Sequence, residues 1–215
     1  MSYAVKETFY TLQGEGHHAG RPAVFLRFAG CNLWSGRERD RARATCSFCD
    51  TDFVGTDGPG GGRFADAGDL ARHVRRILDE GAGSSDVRPP LVVCTGGEPL
   101  LQIDAPLIEA LHAEGLYIAV ETNGTIEAPD GLDWICVSPK AGADLVQTSG
   151  DELKLVYRQD DAPPEAFEHL DFDHFYLQPM DGPDLDRLTS EAVRFCLRNP
   201  RWSLSIQTHK LLGIP

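Results

Sequence analysis

Apolar residues in this chain gather into short runs, separated by stretches in which they recur every three or four positions. The runs predict strands at 24–28, 91–94, 117–121, 134–138, 153–157, 174–178 and 203–207. An N-terminal run at 5–10 is expected to pair with the first of them. Helices are predicted at 69–80, where Leu70, Val74, Ile77 and Leu78 share one face, and at 105–114, with Pro106 near its start and Gly115 at its end. A third helix is predicted at 185–199, stopped by Pro200. Strands that alternate with helices imply βα units and a mainly parallel sheet. About six core strands fall short of the eight that close a barrel. The expected fold class is therefore α/β, a partial, open (β/α) barrel, with a doubly wound sheet as the alternative that periodicity does not separate. Two glycine-rich stretches, 55–68 and 81–90, read as flexible loops.

With 215 residues, 41% of them hydrophobic, the chain is expected to form a single domain over 1–215. No apolar run approaches the ~20 residues of a membrane span. The first residues, Met1-Ser2-Tyr3-Ala4-Val5-Lys6-Glu7, lack the basic and apolar regions of a signal peptide, so a cytoplasmic setting is expected. There, thiols stay reduced and tend to serve metals or catalysis. A net charge of −13 argues against nucleic acid as substrate, because that affinity is largely electrostatic. One local exception is the alternation of Arg37, Arg39, Arg41 and Arg43, balanced in part by Glu38 and Asp40. It reads as a solvated hairpin, or as a docking patch for an acidic electron donor such as flavodoxin.

The unusual polar motifs all follow predicted strands. Cys31 follows the first, Thr95-Gly96-Gly97-Glu98-Pro99 the second and Glu121-Thr122-Asn123-Gly124 the third. Ser138-Pro139-Lys140, Gln178-Pro179-Met180-Asp181 and Gln207-Thr208-His209-Lys210 follow later ones. Carboxyl ends of parallel strands converge on one site in such folds, so these motifs point to one pocket. In Thr95–Pro99 the glycines allow close ligand approach. Glu98 is not expected to pack in a core, and glycines plus a carboxylate suit an ammonium better than a phosphate.

Cys31 is followed by fourteen residues, then Cys46-Ser47-Phe48-Cys49. Three thiolates can hold three irons of a 4Fe–4S cluster and leave the fourth open, whereas electron-transfer clusters ordinarily take four cysteines. On spacing alone a Cys₃His zinc site and three unrelated core thiols are alternatives. Cys94, Cys136 and Cys196 read as core thiols, and His17 and His18 as surface residues.

Cys31, Cys46, Cys49, Phe48 and Gly96-Gly97-Glu98-Pro99 together resemble the radical S-adenosylmethionine superfamily. The usual superfamily motif is Cys-x₃-Cys-x₂-Cys, and the first gap here is longer. Leu12-Gln13-Gly14-Glu15-Gly16, Arg27, Cys49-Asp50-Thr51 and Gly213-Ile214-Pro215 resemble, more specifically, the 7-carboxy-7-deazaguanine synthase family, which includes members with an enlarged cluster loop. The resemblance implies a 4Fe–4S cluster on Cys31, Cys46 and Cys49, and S-adenosyl-L-methionine chelating the open iron. It implies radical ring contraction of 6-carboxy-5,6,7,8-tetrahydropterin to 7-carboxy-7-deazaguanine with loss of ammonia, with an electron donor and a second copy of the chain, as a homodimer, for partners.

Residue roles follow from the same resemblance. Phe48, Cys49 and Asp50 would line the adenosine side, with Gly97 at the methionyl portion and Glu98 as an ammonium partner. Ser138, Pro139, Lys140, Gln178, Pro179, Met180 and Asp181 would add cofactor contacts. Leu12, Gln13, Gly14, Glu15, Thr95 and the Pro215 carboxylate would meet the pterin, with the tail folding in as a lid. Arg27, a charge inside an apolar strand, would clamp the substrate carboxylate. Thr51 resembles the family's Mg²⁺ ligand. Glu121 and His209 are weaker candidates for proton handling. The rival readings are a glycyl-radical activase of the same superfamily, which would need a groove for a partner's loop, and a structural-zinc module.

Overall fold

The computed structural model describes residues 2–82 and 88–215, so part of the second expected loop, residues 83–87, lies outside the described residues. Among the described residues, nine strands form one sheet: β1 (Tyr3–Leu12), β2 (Pro22–Phe28), β3 (Gly62–Phe64), β4 (Leu91–Gly96), β5 (Tyr117–Thr122), β6 (Trp134–Val137), β7 (Ser149–Tyr157), β8 (Asp171–Pro179) and β9 (Trp202–Leu204). Their spatial order is β3-β1-β2-β4-β5-β6-β7-β8-β9. The helices are α1 (Ala67–Gly81), α2 (Ala105–Ala113), α3 (Leu185–Arg198) and α4 (Thr208–Leu212). No helix among the described residues is long and apolar enough to cross a membrane.

From β2 onward every neighbouring pair is parallel, and the strands lie side by side in chain order. A doubly wound sheet reverses its strand order at a switch point; this one never does, so it is singly wound. β3 and β9 remain as two free edges, and the barrel stays open. The parallel run holds seven strands, one more than the sequence estimate. β1 and β3 are antiparallel additions on the β2 side.

Successive side chains on a strand point to opposite faces. On one face Val24, Leu26, Val92, Cys94, Ile118 and Val120 join Leu70, Val74, Leu107 and Leu111 of α1 and α2 in one core. Leu153, Leu155, Phe175 and Leu177 join Ala192 of α3 in a second. The intervening residues form the concave face. Toward the amino ends of the strands it is apolar, with Ala23, Leu91, Val93 and Ala119 buried against Phe25, Tyr117 and Trp134. Toward the carboxyl ends it carries Arg27, Thr95, Glu121 and Lys154. Register sets Arg27 beside Thr95 and Glu121 beside Cys136.

Three expectations need correction. The 55–68 stretch is folded against β1 rather than loose: Gly58 N donates to Lys6 O at 2.9 Å, Thr8 N to Pro59 O at 2.8 Å, and residues 62–64 form β3. A Cβ on Gly61 would stand 2.1 Å from Lys6 O, so glycine here serves close approach. The last strand is Trp202–Leu204, because after Ser205, whose N donates to Leu177 O at 3.0 Å, the chain turns away to cross the concave mouth. Finally, the arginine-rich segment is a 3₁₀ turn over Glu38–Arg43, not a hairpin.

Asp104 caps α2 by accepting from Leu107 N at 3.1 Å and also accepts the Tyr3 hydroxyl at 2.6 Å, which ties the helix start to β1. Asp104→Ala is expected to cost about 1–3 kcal/mol in urea unfolding, and Tyr3→Phe about 1 kcal/mol. Equal small losses for both variants would mean that the cap contributes nothing.

Candidate active site

At the carboxyl ends of the parallel strands lies a cavity of about 260 Å³. Its wall includes Leu12, Gln13, Gly14, Glu15, Arg27, Thr95 and Pro215, every residue the sequence reading assigned to substrate, together with Asp50 and Thr51. Phe9 and Phe25 stack with ring centroids 5.5 Å apart and give the cavity a flat aromatic wall. Arg27 donates from Nε to Glu7 Oε1 at 2.7 Å, an ion pair that steadies the guanidinium at the cavity.

Lys154 organises the polar floor. It stands between Leu153 and Leu155 on β7, its side chain 4% exposed, and its Nζ reaches Glu15 Oε2 at 2.8 Å and Glu121 Oε2 at 2.6 Å. Burial alone would lower the lysine, but Glu121 and Glu15 hold it well above its usual value. Burial would likewise raise Glu15; the Lys154 charge and hydrogen bonds from Lys154, Gln207 and Gln178 outweigh it and bring Glu15 down to about 2. Gln13 bridges the pair, its Nε2 donating to Glu121 Oε1 at 3.1 Å and its Oε1 accepting from Glu15 N at 3.1 Å. The floor thus offers two carboxylates beside a shared cation, suited to a ligand edge rich in N–H donors. Glu152, two residues before Lys154 on the same face, is pushed up to about 7 by burial, against the pull of Lys154.

The C-terminal segment covers this mouth. Thr208 donates to Gly14 O through both N and Oγ1, at 3.0 and 2.9 Å. Gln207 Nε2 donates to Glu15 Oε1 at 2.9 Å, and Thr11 Oγ1 to Pro215 O at 3.0 Å. Lys210 pairs with Asp50 at 2.5 Å and Asp181 at 2.6 Å.

Cys31, Cys46 and Cys49 are free thiols, and Asp50 and Thr51, which follow the last of them, belong to this cavity's wall. The Cys46 thiol donates to Cys49, which lowers Cys49 to about 6 and raises Cys46; burial raises Cys31. Gly97 is packed so closely on the Gly30–Cys31 backbone that a Cβ would lie 2.2 Å from Gly30 O. Among the described residues, no three Cys, His, Asp or Glu side chains converge closely enough to hold a single ion. A tetrahedral zinc site needs such convergence. An iron–sulfur cube does not, because each cysteine binds a different iron, and an all-thiol donor set is what such clusters take.

The remaining expected cofactor residues are not gathered in the large cavity. Pro139 and Lys140 line a smaller one of about 110 Å³, next to Asn123 and Phe167. Lys140 Nζ donates to Ser138 O at 2.5 Å and Ser138 Oγ at 2.6 Å, and burial lowers its pKa. Gln178 and Pro179 are buried, Gln178 Oε1 accepting from Ser205 Oγ at 2.9 Å; Phe48 and Met180 are half-buried.

Glu98 departs most from expectation. It is 0% exposed and does pack inside the protein, accepting from Leu100 N at 2.9 Å, Thr122 Oγ1 at 2.8 Å and Asn123 N at 2.8 Å. Both oxygens are committed to welding the β4 exit to the β5 exit, and burial raises the carboxyl. His17 is exposed, as expected, whereas His18 is half-buried; both rings pack against Trp134, with centroids 4.7 and 4.5 Å away. Lys154 escaped the sequence reading altogether. Its signal was the one that exposed Arg27, a charge inside an apolar strand.

No family model matches the chain. Among curated proteins it is 66% identical over 215 residues to the 7-carboxy-7-deazaguanine synthase of Caulobacter vibrioides, and 65% identical over 214 residues to that of Bradyrhizobium diazoefficiens. Each alignment covers 100% of both chains. Among solved structures it resembles the crystal structure of QueE from Escherichia coli, with a TM-score of 0.68 and 26% identity, covering 96% of this chain and 94% of that one.

Lys154→Met would leave the half-buried Glu15 and Glu121 side by side without their cation, so it is expected to destabilise the fold by about 2–4 kcal/mol in chemical denaturation. Glu15 is depressed from 4.5 to about 2 in the folded state, so its contribution to stability is present above 4.5 and lost as pH falls toward 2. Glu15→Gln is therefore expected to flatten the stability profile across that window. An unchanged slope would show that Lys154 does not hold the carboxylate ionised.

Proposed function

The chain belongs to the 7-carboxy-7-deazaguanine synthase family, and from that premise we propose how its residues share the work. The protein is a radical S-adenosylmethionine lyase that converts 6-carboxy-5,6,7,8-tetrahydropterin to 7-carboxy-7-deazaguanine and ammonia, in the 7-deazapurine route to queuosine. When bound, cluster and S-adenosylmethionine supply radical hydrogen abstraction; binding, orientation and water exclusion fall to the protein.

Cys31, Cys46 and Cys49 would hold the cluster. Phe48, Asp50 and the Gly97 backbone, with the Ser138–Lys140 and Gln178–Asp181 turns, would hold the cofactor. With its side chain committed, Glu98 contributes by fixing the Gly96–Gly97 backbone. Arg27 would clamp the substrate carboxylate against the Phe9–Phe25 wall, and Thr95, adjacent in register, would add a hydroxyl. Glu15 and Glu121, both paired with Lys154, would accept the N–H edge of the pterin, while Leu12, Gln13, Gly14 and Pro215 close the mouth. Thr51 would hold Mg²⁺ by a single hydroxyl, the rest of its shell being water and substrate carboxylate.

The observation that carries this reading is the meeting, in one cavity, of an arginine for a carboxylate and two lysine-paired glutamates for a donor-rich heterocycle. A single domain over 1–215, a cytoplasmic setting, a homodimer and reduction by flavodoxin at the exposed Arg37, Arg39 and Arg43 complete the proposal.

The test is anaerobic turnover of iron-reconstituted protein with S-adenosylmethionine, dithionite, Mg²⁺ and the carboxytetrahydropterin, read by mass spectrometry. Deazaguanine carboxylic acid should form without stoichiometric loss of S-adenosylmethionine. Arg27→Ala should lower kcat/KM by about 10- to 100-fold, the value of a charge-assisted hydrogen bond pair. Release of 5′-deoxyadenosine with the pterin untouched would show that the substrate is wrong.

A further inference from the structure

The fourteen residues between Cys31 and Cys46 lengthen the loop that should carry the cluster, and a longer loop is harder to hold in one geometry. The structure shows what restrains it. Of the four alternating arginines, Arg41 alone turns inward: its side chain is 30% exposed, against 73% for Arg39. Its Nη1 donates to Ser47 O and to Cys49 O, both at 2.9 Å. Its Nε donates to Glu38 at 2.8 Å, and its guanidinium lies 4.2 Å from the ring centroid of Trp34. Trp34 is 8% exposed and meets Phe53 edge-on at 5.6 Å. One planar cation thus joins the start of the loop, through Trp34, to the carbonyls of the Cys46–Cys49 turn at its end.

We propose that Arg41 is a positioning residue that presets the Cys46–Cys49 half of the cluster site, without touching iron. The inference rests on the cluster reading above and assigns no docking role to this arginine. The Cys31 half is set independently, by the packing of Gly97 on Gly30. The geometry is specific to arginine. Both carbonyls, the Glu38 carboxylate and the Trp34 face are satisfied at once by a fork of donors in one plane, which a lysine ammonium does not reproduce.

The experiment compares wild type with Arg41→Ala, Arg41→Lys and, as a surface control, Arg39→Ala, all as full-length chains. In one arm, the reconstituted proteins meet excess iron chelator anaerobically, and loss of the cluster's visible absorbance is timed. In the other, amide hydrogen exchange of the iron-free proteins is followed over residues 44–51. Arg41→Ala should lose iron about tenfold faster, as expected for one lost charge-assisted hydrogen bond, and exchange faster in that segment. Arg41→Lys should fall between, and Arg39→Ala should match wild type. Far-UV circular dichroism and global exchange elsewhere separate a local effect from misfolding; a variant unfolded throughout overturns the idea of a local device. Wild-type protein that binds no iron overturns the cluster reading and this inference together. Wild type that binds iron, with Arg41→Ala matching it in both arms, overturns the clamp alone.

Discussion

Everything in this protein depends on the two-residue pleat of parallel strands laid side by side in chain order. Each strand must give one set of side chains to the helices and the next set to the concave face. Because the order never reverses, the helices stay on one side, and the concave side never needs a covering layer of its own. That side is therefore free to carry Arg27, Thr95, Glu121 and Lys154 at depths where a core would tolerate none of them.

Burying those groups is possible because their charges are matched locally. Lys154 is shared between two carboxylates, each of which has further amide partners from Gln13, Gln178 or Gln207. Removing water from one such group alone would be costly; as a set each has a partner of opposite charge. The segments that supply Gln13 and Gln207, 12–16 and 205–208, also cross the mouth, so closing the cavity and completing its electrostatics are one event.

Much of this was legible in the sequence because short apolar runs and strand-end polar motifs are local signals. The strands at 24–28, 91–94 and 117–121 stood out by their composition, and the residues assigned to substrate line one wall. What stayed hidden depended on distant partners. Glu98 reads as a free carboxylate until Thr122 and Asn123 fold over it. The 55–68 stretch reads as loose because its glycines have no local role; their purpose is to let the chain lie against Lys6 and Thr8. Lys154 was obscured by the strength of the strand pattern around it.

The separation of faces also governs how such a protein can change over generations. A mutation among Val24, Leu26, Val92 or Val120 alters how firmly the scaffold stands, while one at Phe25, Arg27 or Thr95, a single position along, alters what the cavity accepts. Robustness and ligand preference are thereby inherited on alternate positions of the same strands. Lineages can drift in one while the other is held, and new specificities can be tried on the concave side without re-inventing the scaffold.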